Sequence, residues 1–183
     1  MKEEIMNQTN IKIGQLRDRM KELGIDAYLV PTADFHESEY VGEFFKCRHF
    51  LTGFNGTAGT AVITMDKAGL WTDGRYFVQA EEQLSGSEIK LYRMGEPEFP
   101  TLDEFLEEEL PVDGCLGFDG RVVNSELGYG LQNLLQEKNV TINCSKDLVG
   151  ELDFPSGYVL RAYLELGCKI CRKEHRRETF RSS

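Results

Sequence analysis

Apolar residues recur at helical spacing near the start of the chain. Ile13, Leu16, Met20 and Leu23 fall on one face, which predicts an amphipathic helix over about 10–23. Thr9 or Asn10 is placed to cap it, and Gly24 suits the position just past its end. The period then changes: residues 25–30 form a continuous apolar run that Pro31 stops, the mark of a buried strand. Asp34 is placed to cap a short helix running through Tyr40, Phe44 and Phe45. A hairpin follows, with arms at 61–64 and 69–72 around Asp66-Lys67. Asp73 reads as the N-cap of a helix that buries Tyr76 or Phe77, Ala80 and Leu84 and ends at Ser85-Gly86. Further on come a strand at 89–92, an acidic helix over 101–110 closed by Pro111, and a strand at 115–119. A helix capped by Asn124 or Ser125 through Leu135 and a strand at 140–144 complete the pattern. About six strands with interleaved helices predict an α/β protein: a three-layer α/β/α sandwich whose sheet is mixed because of the hairpin.

Between Thr52 and Thr60 the chain places glycines three apart, at Gly53, Gly56 and Gly59. Glycine at that density marks unusual dihedrals or close backbone approach. A phosphate loop is excluded by context. The spacing is not that of a dinucleotide fingerprint, no Lys follows the last glycine, and the run enters a strand rather than a helix.

Composition narrows the function. A formal net charge of -10 over 183 residues argues against a nucleic-acid surface, which needs clustered cations. The start of the chain has no apolar leader, and no apolar run reaches membrane-spanning length. Five irregularly spaced cysteines suggest free thiols, so a cytoplasmic location is expected. From Arg161 onward seven basic residues stand against three acidic ones, reversing the balance of the preceding 160 residues.

The candidate chemistry is sparse. His36, Glu37 and Glu39 lack the second histidine four residues on that a helical zinc site requires, so a capped surface turn is the expected role. Cys168 and Cys171 with His175 form one CxxC without a second ligand pair. Asp73-Gly74-Arg75 after Trp71 supports two readings equally: a helix cap with a salt bridge, or an arginine presented for carboxylate recognition beside aromatic surface. No serine has a nucleophile-elbow context.

Four ordered motifs carry a family resemblance: residues 25–30 (Ile-Asp-Ala-Tyr-Leu-Val), 36–40 (His-Glu-Ser-Glu-Tyr), 51–60 (Leu-Thr-Gly-Phe-Asn-Gly-Thr-Ala-Gly-Thr) and 71–76 (Trp-Thr-Asp-Gly-Arg-Tyr). Together they resemble the N-terminal domain of the aminopeptidase P (Xaa-Pro aminopeptidase), prolidase and creatinase family, most like its long three-domain cytosolic members. The resemblance implies a ribonuclease-H-like fold over residues 1–150, with residues 151–183 a linker, the start of a second domain, or an aberrant or disordered tail. It implies a non-catalytic domain that shapes the mouth of a peptidase site, restricts it to short peptides and supports a homodimer. His36, Tyr40, Trp71 and Arg75 become cleft candidates, and Gly53, Gly56, Gly59, Asp73 and Gly74 structural ones. Catalytic residues and two divalent metals, usually manganese, are expected in a C-terminal domain beyond this chain, so no catalytic or metal-binding residue and no activity is expected here. The partners implied are short proline-containing peptides, met through the full-length enzyme, with no nucleic acid and no membrane.

Beyond about Glu151 the resemblance decays. Where relatives read Lys-Tyr-Ala-Gly-Lys, codons AAA-TAT-GCA-GGA-AAG moved by one base give Ile-Cys-Arg-Lys, the run found at 170–173. The tail is therefore expected to be an out-of-frame end of a truncated product. The alternatives are a stand-alone peptide-binding or regulatory domain that pairs with a full-length enzyme, and a small metal-dependent hydrolase using His36 and His49.

Overall fold

A computed structural model describes residues 2–36, 38 and 40–152, residues 2–7 in backbone only. Glu37, Glu39 and the whole tail expected over 151–183, apart from its first two residues, lie outside the described residues; so do Cys168, Cys171 and His175.

Six strands form one mixed sheet: β1 (Ala27–Pro31), β2 (Thr60–Thr64), β3 (Ala68–Thr72), β4 (Lys90–Arg93), β5 (Cys115–Phe118) and β6 (Thr141–Asn143). Their order across the sheet is β4-β3-β2-β1-β5-β6. β2 runs antiparallel to both β1 and β3, while β1–β5, β3–β4 and β5–β6 are parallel. The hairpin therefore lies inside the sheet, and of the six strands β2 alone runs against the other five.

Alternation along the strands divides the core between two faces. Tyr28, Val30, Ala61, Ile63 and Leu70 point to one side. There they pack with Ile13, Leu16 and Met20 of α1 (Lys2–Leu23), Leu51 of α2 (Cys47–Thr52), and Ala80 and Leu84 of α3 (Phe77–Leu84). Leu29, Val62, Trp71, Leu116 and Phe118 point to the other side. They meet Phe105 and Leu106 of α4 (Leu102–Glu109) and Leu131 of α5 (Ser125–Leu134). The result is the expected α/β/α sandwich.

Polar groups tie the layers together. Arg17 donates from α1 to the Thr64 carbonyl at 2.8 Å, and Lys12 donates to the Phe50 carbonyl at 2.8 Å. Asp26 locks β1 to β5, accepting the Cys115 N–H at 2.8 Å while its own N–H donates to the Cys115 carbonyl. Thr101 and Glu104 form a reciprocal capping box on α4, a device that contributes about 1 kcal/mol.

Three local expectations differ from the structure. α1 begins well before the predicted start at residue 10, since nothing in residues 2–9 breaks a helix. Among the described residues the helix expected after Asp34 does not form. Instead the Asp34 carboxylate accepts the His36 and Ser38 N–H groups at 2.8 and 3.0 Å, offering the backbone a turn in place of a helix. A 3-10 turn at Glu43–Phe45 and the unpredicted α2 follow. Asp73 does not cap α3: it makes its own turn with Arg75, and α3 starts after Tyr76 without a side-chain cap.

Candidate functional site

Thr52 to Thr60 crosses from α2 to the hairpin as irregular backbone, and its carbonyls need partners. Arg48 supplies them. It lies on α2 with 3 % exposure, its guanidinium 4.7 Å from the centre of the Phe54 ring. Nε donates to Thr32 Oγ1 at 2.6 Å, Nη1 to the Phe54 carbonyl at 2.9 Å, and Nη2 to the Gly56 carbonyl. Thr52 accepts the Phe54 N–H, and Thr72 donates to the Ala58 carbonyl. The three glycines fit this anchoring for different reasons. Gly53 ends α2 in the left-handed region with φ 75°, and Gly59 has φ 152°. Gly56 is small because a Cβ there would run into the Phe54 ring and come within 2.9 Å of Tyr76.

The loop floors a cleft of about 520 Å³ whose lining includes Tyr40, Val41, Phe45, Arg48, His49 and Asn55. Burial lowers the Arg48 guanidinium to about 10, which leaves it a cation at neutral pH. Burial, helped by the neighbouring Arg48 and Lys46 charges, pushes His49 below the usual imidazole range, so it is neutral at pH 7. Thr57 extends the wall outward: its hydroxyl meets the Tyr76 hydroxyl at 2.6 Å, and the Arg75 guanidinium lies 5.3 Å from the centre of the Tyr76 ring.

The four cleft candidates are distributed unevenly. Tyr40 lines the cleft and is 78 % exposed. Arg75 lies on the shelf beyond Thr57 and is held by Asp73 through Nε at 2.9 Å and Nη2 at 2.8 Å. That pairing lowers the Asp73 carboxyl below the usual range. His36 is exposed on the Asp34 turn. Trp71 is 2 % exposed on the sheet face opposite α1, stacked on Tyr92 at 4.3 Å, with its indole N–H donated to the Pro100 carbonyl at 3.0 Å. Gly74 meets nothing closer than Phe77 at 3.8 Å. The sequence reading passed over Arg48, the residue that builds the cleft. Its one cue is an arginine set among Phe44, Phe45, Phe50 and Leu51, where a cation has little reason to stand unless it is held.

A second polar cluster lies at the carboxyl ends of the parallel pair β1 and β5. Arg121 donates to both Asp119 oxygens at 3.0 Å or less and also to Asp147, beside a small cavity of about 20 Å³ bounded in part by Tyr28 and Cys47. Tyr28 spans this end of the fold, donating its hydroxyl to the Lys146 carbonyl at 2.6 Å and accepting the Leu148 N–H at 3.1 Å. Burial, then the nearby Asp119 charge, raises the Asp147 carboxyl. Each side chain here already has a structural partner.

Known proteins share this fold. The creatinase/prolidase N-terminal domain matches residues 12–152, which is the whole sandwich from the middle of α1 onward. The chain belongs to that family. Aminopeptidase P2 of Arabidopsis thaliana is 43 % identical over 130 residues, covering 70 % of this chain and 18 % of that protein. A probable Xaa-Pro aminopeptidase P of Coprinopsis cinerea is 42 % identical over 142 residues, covering 77 % of this chain and 23 % of that one. The crystal structure of X-prolyl aminopeptidase from Caenorhabditis elegans, described as a cytosolic enzyme with a di-nuclear active site, superposes with a TM-score of 0.72 at 31 % identity. That superposition covers 80 % of this chain and 26 % of the enzyme. This creatinase/prolidase N-terminal domain thus spans about a fifth of the length of the curated relatives it matches.

A di-nuclear centre needs converging carboxylates and imidazoles. Among the described residues no three His, Cys, Asp or Glu side chains come together to hold a metal ion, and His36 and His49 share no such group. The residues described do not fit a metal pair. Among the same residues no helix is long and apolar enough to cross a membrane.

Proposed function

We propose that residues 1–150 are the non-catalytic N-terminal domain of a cytoplasmic, metal-dependent Xaa-Pro aminopeptidase, an enzyme that removes the N-terminal residue from short peptides with proline second. The observation that carries this reading is the family match over the whole sandwich, together with relatives named as aminopeptidases P of which it covers about a fifth. In this reading the catalytic residues and a pair of divalent metals, manganese being the expected ion, belong to the rest of the enzyme.

The part this domain plays is shape. Arg48 fixes the glycine loop, the loop carries Thr57, and Thr57 holds Tyr76 beneath Arg75. We place this shelf and the cleft beside Tyr40 at the mouth of the catalytic site, where a rigid wall limits the length of peptide admitted. The same domain supports a homodimer of the enzyme.

Manganese-dependent cleavage of a short Xaa-Pro peptide tests this. The purified chain is expected to show no turnover. Robust manganese-dependent cleavage that is lost on His36→Ala would overturn the reading and make this domain the hydrolase.

A further inference from the structure

The cleft beside Arg48 stands out electrostatically. The chain as a whole carries a formal charge of -10, yet the cleft lining includes two cations, Lys46 and Arg48, and among the described residues no Asp or Glu. Lys46 is paired with Glu43 on the exposed side. Arg48 has no carboxylate partner among the described residues: its bonds go to a hydroxyl and two carbonyls, all neutral. A cation taken out of water and met only by neutral oxygens and the face of the Phe54 ring has lost hydration without gaining a countercharge, and burial lowers its pKa accordingly. A guanidinium offers five N–H groups, and among the described residues three find acceptors here.

The rest of the cleft suits an anion with an apolar body. The Asn55 side-chain oxygen is already taken by Gln79 and Gln83, so what Asn55 has left to offer at the rim is its donor end. His49 is neutral near pH 7 and adds no second cation, which leaves Arg48 as the buried charge of the cleft. Tyr40, Val41 and Phe45 add apolar surface, and the volume of about 520 Å³ falls among those of small-ligand sites. We propose that this cleft binds the carboxylate of a short peptide, with Arg48 as the buried charge, Asn55 as a rim donor and Tyr40, Val41 and Phe45 as the wall for the adjoining apolar side chain. The carboxylate is either a peptide C-terminus or an Asp or Glu side chain. The choice of a peptide as ligand rests on the aminopeptidase reading; binding itself needs neither a second domain nor turnover, so its failure leaves that reading standing.

Amide chemical-shift titration of the full chain with two pairs of peptides tests the proposal. Acetyl-Phe-Phe as free acid is compared with its C-terminal amide, and acetyl-Phe-Asp-amide with acetyl-Phe-Asn-amide. The acid member of at least one pair is expected to bind about tenfold more tightly than its neutral partner, the scale of one charge-assisted contact. The shifts should centre on residues 40–41 and 55–57. The pair that shows the preference identifies which carboxylate is taken. Equal binding within both pairs, or shifts centred elsewhere, overturns the proposal.

Arg48→Gln should abolish the preference, but it also removes loop anchors, so Asn55→Asp is the second variant. It keeps an acceptor for Gln79 and Gln83 and adds a negative charge at the rim. It should weaken the favoured acid about tenfold and leave the neutral partner unchanged. Unchanged acid affinity in the folded Asn55→Asp chain overturns the assignment.

Discussion

Arg48 donates to the Phe54 carbonyl at 2.9 Å while its guanidinium lies 4.7 Å from the centre of the same residue's ring. One side chain thus satisfies the loop backbone and packs against the loop's apolar anchor. The arrangement depends on a planar fork that reaches three acceptors at once, which a lysine ammonium on a flexible stem cannot do. Arg48→Lys is expected to cost about 2–3 kcal/mol, because two buried carbonyls lose a charge-assisted partner. The midpoint of urea unfolding measures it. A variant within about 0.5 kcal/mol of the wild type, the range of ordinary surface changes, would show that the loop holds its shape without the fork.

Gly56 is small for lack of room, not for dihedral freedom. A Cβ there would press on the Phe54 ring and stand 2.9 Å from Tyr76 Cδ1. Phe54 is fully buried, so its ring cannot swing aside cheaply. Gly56→Ala should therefore destabilise by about 1–3 kcal/mol, the usual range for overpacking. Denaturant unfolding measures it, and a neutral effect would show that the ring has space the packing does not suggest.

The single tryptophan reports on the other face of the sheet. Trp71 and Tyr92 stack in parallel at 4.3 Å, and a Cβ on Gly69 would come within 2.7 Å of both rings. Gly69→Ala should separate the rings, lower stability by about 1–3 kcal/mol and shift tryptophan emission to longer wavelength as the indole gains water. Unchanged emission in the folded variant would mean that the stack is not what fixes the indole.

These three positions also show what could be read from the sequence. The helix face of Ile13, Leu16 and Met20, the hairpin and all six strands were legible, because burial imposes period 3.6 on a helix face and short apolar runs bounded by turn residues on the strands. Arg48 was not: a lone arginine in a sequence reads as surface, and only three-dimensional proximity to Phe54 and Gly56 shows why it is buried. Trp71 was read beside Asp73 and Arg75 because all three are close in sequence. β3 is buried on both faces, so no alternation signals that the indole points away from α1. The helix expected after Asp34 failed for a local reason. A carboxylate that can cap a helix can equally close a turn, and propensity does not choose between them.

Cys47 gives the domain an alkaline limit. Its thiol borders the small cavity near Asp147 and Tyr28, and burial, reinforced by the Asp147 and Asp119 charges, pushes it from 9.0 up to about 12. Burial likewise holds the Tyr28 hydroxyl well above its usual range. In the unfolded chain the thiol ionises near its ordinary value, while in the folded chain it keeps its proton. Between those two values the native state binds more protons, so stability must fall as pH rises through that window and is unaffected by this group below it. One unit of difference corresponds to about 1.4 kcal/mol, so by about pH 10.5 the Cys47 contribution should be a loss of about 2 kcal/mol. Cys47→Ala should be slightly less stable than the wild type near pH 8, for the packing it removes, yet lose less on going to about pH 10.5. The Cys47 charge is the smallest cause of the Tyr28 rise, so the difference between their slopes reports chiefly the thiol. Urea unfolding of both at a series of pH values measures this, and parallel declines would show that the folded thiol ionises as readily as the unfolded one.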